Sequence, residues 1–478
     1  MNYSVIQKSQ LEGSLRLDAE YYQPEYLSIK KVISDSGLRS KILKELVSRP
    51  VLTGTTPKRR ICRQDGTDIK FIKTDSLRDG EIKFEFADNL PVGESRKYSE
   101  PKERDVLVTI IGASYEIVGR TARVFVDDPK MNINQNIALI RPLDTILSSY
   151  LESFLRGKYG RYQLWQQSRQ TEQVNLNCRE VENITIPITS ISFQQKIDSL
   201  IKSSRKYKIV AAQHYSNAEN LLLEELGLKD YQVEDDLVFV VKLSGVKYAE
   251  RADAEYFQPK YDELIAAVKK YKGGFDELGN LVKIKKSVEP GSDAYKENGV
   301  PFVRVSNISK FELSDNNQQF ISEELYNELK IHQPKKGEIL LSKDATPGLA
   351  YYLNEESQKM IVSGGILRLI VDSRKVLPEY LTLVLNSVIV QKQIERDAGG
   401  SIINHWRPDQ VTATIIPLLK NDKQEEIKKL VEESFNDGNS SKALLEIAKH
   451  GVETAIEKNE KEAKEWINTE LVKLRIKL

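Results

Sequence analysis

The chain has 478 residues, 40% apolar and 29% charged, but its 71 Lys+Arg and 70 Asp+Glu leave a formal net charge of only +1. That length allows two to four domains with cores of their own, and the balance of charge argues against a strongly basic, sequence-blind nucleic-acid binder. Two cysteines without a CxxC pair (Cys62, Cys178), four scattered histidines and no apolar run of the ~18–20 residues a membrane span needs make a disulfide framework, a zinc site and a membrane protein unexpected.

The start, Met-Asn-Tyr-Ser-Val-Ile-Gln-Lys, has no basic region followed by an apolar one, so a cytoplasmic location is expected. Asp18-Ala19-Glu20-Tyr21-Tyr22-Gln23-Pro24-Glu25-Tyr26 follows, and it returns as Asp253-Ala254-Glu255-Tyr256-Phe257-Gln258-Pro259-Lys260-Tyr261. A repeat so far apart means two copies of a whole domain rather than a solenoid. The aromatics have helical spacing, so a helix packed on its domain is expected, with the acidic residues at its start. Short β-rich runs come next at Ile69–Ile72, Val106–Ile111, Arg120–Val126 and Ile137–Arg141, then a helix near Tyr150–Gln166, then Ile186-Pro187. From Gln194 to Leu226 the period is helical, with Ile197, Ile201, Ala211, Tyr215, Ala218 and Leu222 on one stripe.

The second half repeats this order: strands at Phe302–Val305, Ile339–Ser342 and Gly365–Val371, a helix at Glu379–Arg396, Ile416-Pro417, and a helix from Gln424. That helix is expected to break at Asn436-Asp437-Gly438-Asn439 and to resume on Leu445, Ala448, Val452, Ala455, Asn459, Glu462 and Trp466, a coiled-coil rhythm. The expected fold is α+β (mixed): strand-rich domains at 1–190 and 233–420, alternating with spacer helices at 191–232 and 421–478 packed as an antiparallel coiled coil. The alternative is that each helix covers only its own domain.

This order, given twice, resembles the specificity (S) subunit of type I restriction-modification systems. The resemblance is carried by the Asp-Ala-Glu-Tyr-Tyr-Gln-Pro opening, Phe71-Ile72-Lys73-Thr74-Asp75, Asp105-Val106-Leu107-Val108, and Ile186-Pro187-Ile188 before Gln194-Gln195-Lys196-Ile197. It implies two target-recognition domains, each reading one half of a split site in double-stranded DNA. It implies two methyltransferase (M) subunits, which hold S-adenosylmethionine, and translocase/endonuclease (R) subunits. The chain itself is expected to be non-catalytic and without a cofactor. No P-loop and no Asn/Asp-Pro-Pro-Tyr/Phe tetrapeptide occurs, and Asp79-Gly80-Glu81-Ile82-Lys83, superficially like a nuclease carboxylate-lysine set, reads as a hairpin turn. The alternative function is a protein-interaction scaffold of two domains on a helical ruler, favoured by the near-zero net charge.

Candidate DNA contacts follow from placement. In the first half Arg49, Lys58, Arg59 and Arg60 surround Gly54-Thr55-Thr56-Pro57, and in the second Lys283, Lys285 and Lys286 precede Pro290-Gly291-Ser292, as loops that neutralise phosphates. Lys73, Thr74 and Asp75, with Arg304, Ser306 and Asn307, end corresponding strands; Arg suits guanine and Asn suits adenine. Gln173, Asn175 and Asn177 precede the first Ile-Pro, and His405, Trp406 and Arg407 the second. The alternatives are solvated charge for the basic residues, strand or turn caps for the polar ones, and a packed Trp406.

Overall fold

The structure, a computed structural model, describes residues 4–9, 11, 16–58, 69–91, 93–170, 173–231, 236–315, 317–356, 359–398 and 404–478. The chain is a mixed α/β protein of two compact units, Met1–Tyr207 with Asn439–Leu478, and Lys208–Gly438.

The first unit is built on a four-stranded antiparallel sheet in the order Leu52–Thr53, Ile137–Ile140, Val106–Thr109, Thr121–Arg123. Ile137–Ile140 and Val106–Thr109 are buried at every position, which is why they read as continuous apolar runs rather than alternating ones. A second sheet places Lys70–Ile72 parallel to Met131–Ile133 and antiparallel to Asp88–Asn89. Asp79 (φ 54°) and Gly80 (φ 79°) form the two-residue turn between Leu77–Arg78 and Glu81–Ile82, the left-handed pair that a tight hairpin demands.

The second unit repeats the arrangement. Its four-stranded sheet runs Val282–Lys286, Ile366–Val371, Glu338–Ser342, Ala350–Tyr352. Its three-stranded sheet again has a parallel pair, Val300–Val303 with Ile361–Val362. Each unit also carries a helical corner where the sequence suggested one helix: Ser148–Arg156 with Lys158–Gln167, and Pro378–Asn386 with Val388–Asp397. Gly157 (ψ 170°) and Ser387 (ψ 164°) are extended, each ending one helix and starting the next. Helical periodicity continues across both breaks, so the pattern alone hides them.

Hydrogen bonds at this corner recur 230 residues apart. Gln163 Nε2 donates to Thr185 O (3.0 Å) and Gln163 Oε1 accepts from Thr185 N (2.9 Å). Gln393 does the same for Ile415, at 3.0 and 2.8 Å. Tyr150 Oη donates to Pro187 O and Tyr380 Oη to Pro417 O. Leu147 N and Leu377 N donate to Gln194 Oε1 and Gln424 Oε1. These bonds fix both the last strand, Thr185–Ile188 or Ile415–Pro417, and the start of the helix that follows to the corner helices.

The opening repeat has a mechanical role. Arg16 makes a two-pronged bond to Asp18 (2.6 Å each) and donates to Gln167 O at the end of a corner helix. Arg251 pairs with Asp253 (2.8 and 2.7 Å) and donates to Asp397 O. The aspartates therefore clamp an arginine. Tyr21, Tyr22, Tyr26 and Tyr261 are buried, not offered to bases.

Two long helices leave these domains, Ile191–Glu225 and Asn421–Glu457. In the first unit Ser204 Oγ donates to Ser441 O (2.9 Å); in the second, Ser434 Oγ donates to Ala211 O (2.7 Å) and Lys423 pairs with Glu225 (3.3 Å). The expected break at Asn436–Asn439 does not occur. A Cβ on Gly438 would meet nothing within 4 Å, and the segment lies between Ser434 and Ser441, both bonded to the other long helix, so tertiary contact overrides weak helix propensity. The break lies instead at Asn459, whose Oδ1 accepts from Glu462 N (2.9 Å) to start Glu460–Lys473. That turn resets the register: Ala463, Ile467 and Leu471 are buried, whereas Glu462 is exposed and Trp466 half-buried. The return packs closely at Gly451, where a Cβ would sit 2.7 Å from Ile467 Cδ1. Among the described residues no helix is long and apolar enough to cross a membrane.

Candidate nucleic-acid interface

In the first unit two candidate segments meet at the end of one strand. The chain after Leu52–Thr53 passes so close to Met131–Ile133 that a Cβ on Gly54 would lie 1.8 Å from Ile133 O; only glycine fits. Gly54 N and Thr55 N donate to Asn134 O (3.1 Å) and Ile133 O (3.0 Å), while Asn134 N donates to Ile72 O (3.0 Å). The Gly54–Lys58 loop and the Thr74–Ser76 turn therefore flank Asn134. Lys58 is exposed, and its N–H donates to Glu94 Oε2 (3.4 Å). Lys73 donates its N–H to Ser76 Oγ (3.3 Å) and pairs with Asp88 (2.9 Å); Thr74 and Asp75 are half-buried in the turn.

Sequence reasoning missed the segment beside them. Arg96 N donates to Asn132 Oδ1 (2.8 Å) and Arg49 Nη2 to Tyr98 O (3.4 Å). The Arg96 side chain is 41% exposed and Tyr98 52%. The signal was there, a basic-aromatic run Arg96-Lys97-Tyr98, but nothing in the sequence tied it to the Lys58 loop. Arg49 is half-buried; burial, then the nearby Arg141, pushes its guanidinium below the usual value. Gln173 and Asn175 are exposed, and Val174–Asn175 pairs with Ile111–Gly112. Asn177 is a helix cap, accepting from Glu180 N (3.0 Å). Arg59 and Arg60 lie outside the described residues.

The second unit has the same construction, with its lysines and Asn307 placed otherwise than expected. Lys283, Lys285 and Lys286 do not lie in a loop; they belong to the edge strand Val282–Lys286, whose run of alternating Lys and Ile suits a half-exposed strand. Asn307 is 1% exposed; its Oδ1 accepts from Arg304 N (3.0 Å) and its Nδ2 donates to Ser314 O (3.0 Å), so it is buried and holds the turn. Its counterpart, Ser76, does the same for Lys73 N. Val288 bridges to Ser363, and Ser363 N donates to Val303 O (2.8 Å), so the loop after Lys286 and the Arg304–Asn307 turn again flank one strand end. Arg304 Nη2 donates to Asn317 O (2.6 Å), and Ser306 is exposed.

Asn404–His405 pairs with Asp344–Ala345, as Val174–Asn175 pairs with Ile111–Gly112. His405 Nδ1 is 2.8 Å from Asp344 Oδ1, and Lys343 bonds Oδ2. Burial pushes the Asp344 carboxyl up, but the bonds from Lys343 and His405 outweigh it and hold it below the usual range. Trp406 is 1% exposed and is packed. Arg407 is exposed and paired with Asp409 (3.1 Å). Among the described residues no group of three or more His, Cys, Asp or Glu is placed to hold a metal ion.

These turns are donor- and acceptor-bearing edges on rigid sheets, suited to groove and phosphate contacts. Residues 40–211 match the family model described as Type I restriction modification DNA specificity domain. The type I restriction enzyme EcoBI specificity subunit of Escherichia coli is 26% identical over 197 residues, 39% of this chain and 39% of that protein, so the match spans well under half of this curated relative. Among solved structures, the type I S subunit from M. genitalium superposes with a TM-score of 0.37 at 12% identity, over 92% of this chain and 96% of that one. The HsdS subunit from Thermoanaerobacter tengcongensis does so at 0.27 and 15%, over 92% and 96%. Residues 40–211 are thus similar to the DNA specificity domain of type I restriction-modification systems, and part of the chain is similar to a curated specificity subunit of such a system.

Proposed function

We propose that this chain is the DNA sequence-specificity subunit of a type I restriction-modification complex, with one recognition domain per half of a bipartite duplex site. The observation that carries the reading is a coincidence of two kinds of fact. The specificity-domain match covers the strands and turns that display Lys58, Lys73 and Asn175, and the second unit builds the same strand order and corner hydrogen bonds around Arg304 and His405. Two readers on a common framework with different exposed side chains suit two different half-sites.

In this reading the chain performs no chemistry and holds no cofactor. Methyltransferase subunits bring S-adenosylmethionine, translocase/endonuclease subunits join for restriction, and the complex works in the cytoplasm. The long helices form an antiparallel coiled coil that spaces the two recognition domains. A net charge of +1 leaves little sequence-blind attraction to DNA, so tight binding depends on the methyltransferase subunits closing around the duplex. Gel shifts with and without those subunits test this. Specific binding only in their presence is expected; tight specific binding by the chain alone would refute the division of labour, and no DNA binding in either case would favour the protein-interaction scaffold.

A further inference from the structure

We infer that His405 reads a base edge through its Nε2 as a hydrogen-bond acceptor, and that Asp344 is the positioning residue that makes it one. The inference rests on the DNA-recognition reading and deepens it.

Both oxygens of Asp344 are engaged, Oδ1 by His405 Nδ1 at 2.8 Å and Oδ2 by Lys343 Nζ. An ionised carboxylate only accepts, so the imidazole nitrogen facing it carries the proton. In the neutral ring the other nitrogen, Nε2, then has a lone pair and no proton. The His405 side chain is 61% exposed against 25% for Asp344, so the ring is held at its inner edge and open at its outer one.

The backbone beneath is fixed. Asp344 and His405 are register partners, and buried Trp406 donates its N–H to Lys343 O (2.8 Å). A Cβ on Gly365 would lie 3.0 Å from Val305 Cγ2 and 3.4 Å from Asp344 Oδ2. The pair therefore sits beside the turn that carries Arg304 and exposed Ser306. A lone surface histidine needs neither a fixed tautomer nor this company. The corresponding strand position in the first unit holds Asn175, partnered with Ile111, which offers both a donor and an acceptor. An acceptor in the major groove meets the exocyclic amino group of adenine or cytosine, whereas a donor meets purine N7, guanine O6 or thymine O4.

Two experiments test the inference. 15N NMR of the full chain labelled at its four histidines, with His405→Gln used for assignment, reports the tautomer at about pH 8, where an ordinary imidazole is neutral. Protonated Nδ1 and bare Nε2 are expected; the reverse overturns the inference. Selection of duplexes from a random pool by the full chain with its methyltransferase subunits locates the recognised base pairs. His405→Ala and Asp344→Asn are expected to relax one of them by about five- to tenfold, the scale of a single base contact, and to leave the rest unchanged. Removing the exocyclic amino group at that position should weaken wild-type binding equally and leave His405→Ala unaffected. Sensitivity to 7-deaza substitution instead, or no position changed by either variant, overturns the inference while the specificity reading stands. A wild-type complex that selects no sequence refutes both.

Discussion

Gln163 and Gln393 offer a quantitative test of the shared construction. Each side chain bonds both backbone groups of one residue in the last strand, Thr185 or Ile415, and its Nε2 also donates to a helix carbonyl, Tyr159 O or Ile389 O (3.1 Å in both). The glutamines are 5% and 4% exposed, so water cannot replace them. Leucine of similar size leaves one N–H and one C=O unpaired in the interior. Each orphaned group costs ~1–3 kcal/mol, and partial relaxation brings the pair to about 2–4 kcal/mol per variant. Urea unfolding of Gln163→Leu and Gln393→Leu measures this, each through the transition of its own unit. A loss below about 1 kcal/mol in either, or a large loss in one and none in the other, would refute the claim that the two corners are held alike.

The acid side of stability should depend on the opening repeat. The Arg16 and Arg251 guanidinium bonds hold Asp18 and Asp253 below the usual carboxylate range. A lowered folded-state pKa stabilises above the unfolded value of about 3.9 and ceases to do so as pH falls through the folded value. Asp18→Asn with Asp253→Asn should therefore flatten Tm against pH below about pH 4, and an unchanged profile would exclude the clamps as its cause. Gly54→Ala forces a Cβ to 1.8 Å from Ile133 O, so the loop must move; loss of one half-site's recognition with the other retained is the expected selection result. For Lys58→Ala and Lys286→Ala, each phosphate contact removed should lower the slope of log K against log salt by about 0.9, and unaltered slopes would remove these residues from the interface.

Strand-rich runs and the Asp79-Gly80 turn were legible because burial and turn chemistry leave strong local signatures. Helix ends were not. Gly157 and Ser387 break helices whose periodicity continues, while Asn436–Asn439, rich in breakers, stays helical because Ser434 and Ser441 on either side of it bond to the other long helix. Of the candidate site, the separate segments were legible, but not that Lys58 lies near Lys73, or Arg304 near His405, at neighbouring strand ends. Individual roles were not, since a polar residue at a strand end is equally a cap. Asn307 and Asn177 became caps, Lys283 and Lys285 joined a strand, and Arg96 and Tyr98 emerged only once Asn132 placed them.

Methylome sequencing of a strain carrying the chain with its methyltransferase subunits, as wild type, Lys73→Ala and Arg304→Ala, tests most directly whether two domains read two half-sites. A single bipartite motif with a fixed unread gap is predicted, with each substitution degrading a different half. A contiguous motif, or one substitution altering both halves, would contradict the account.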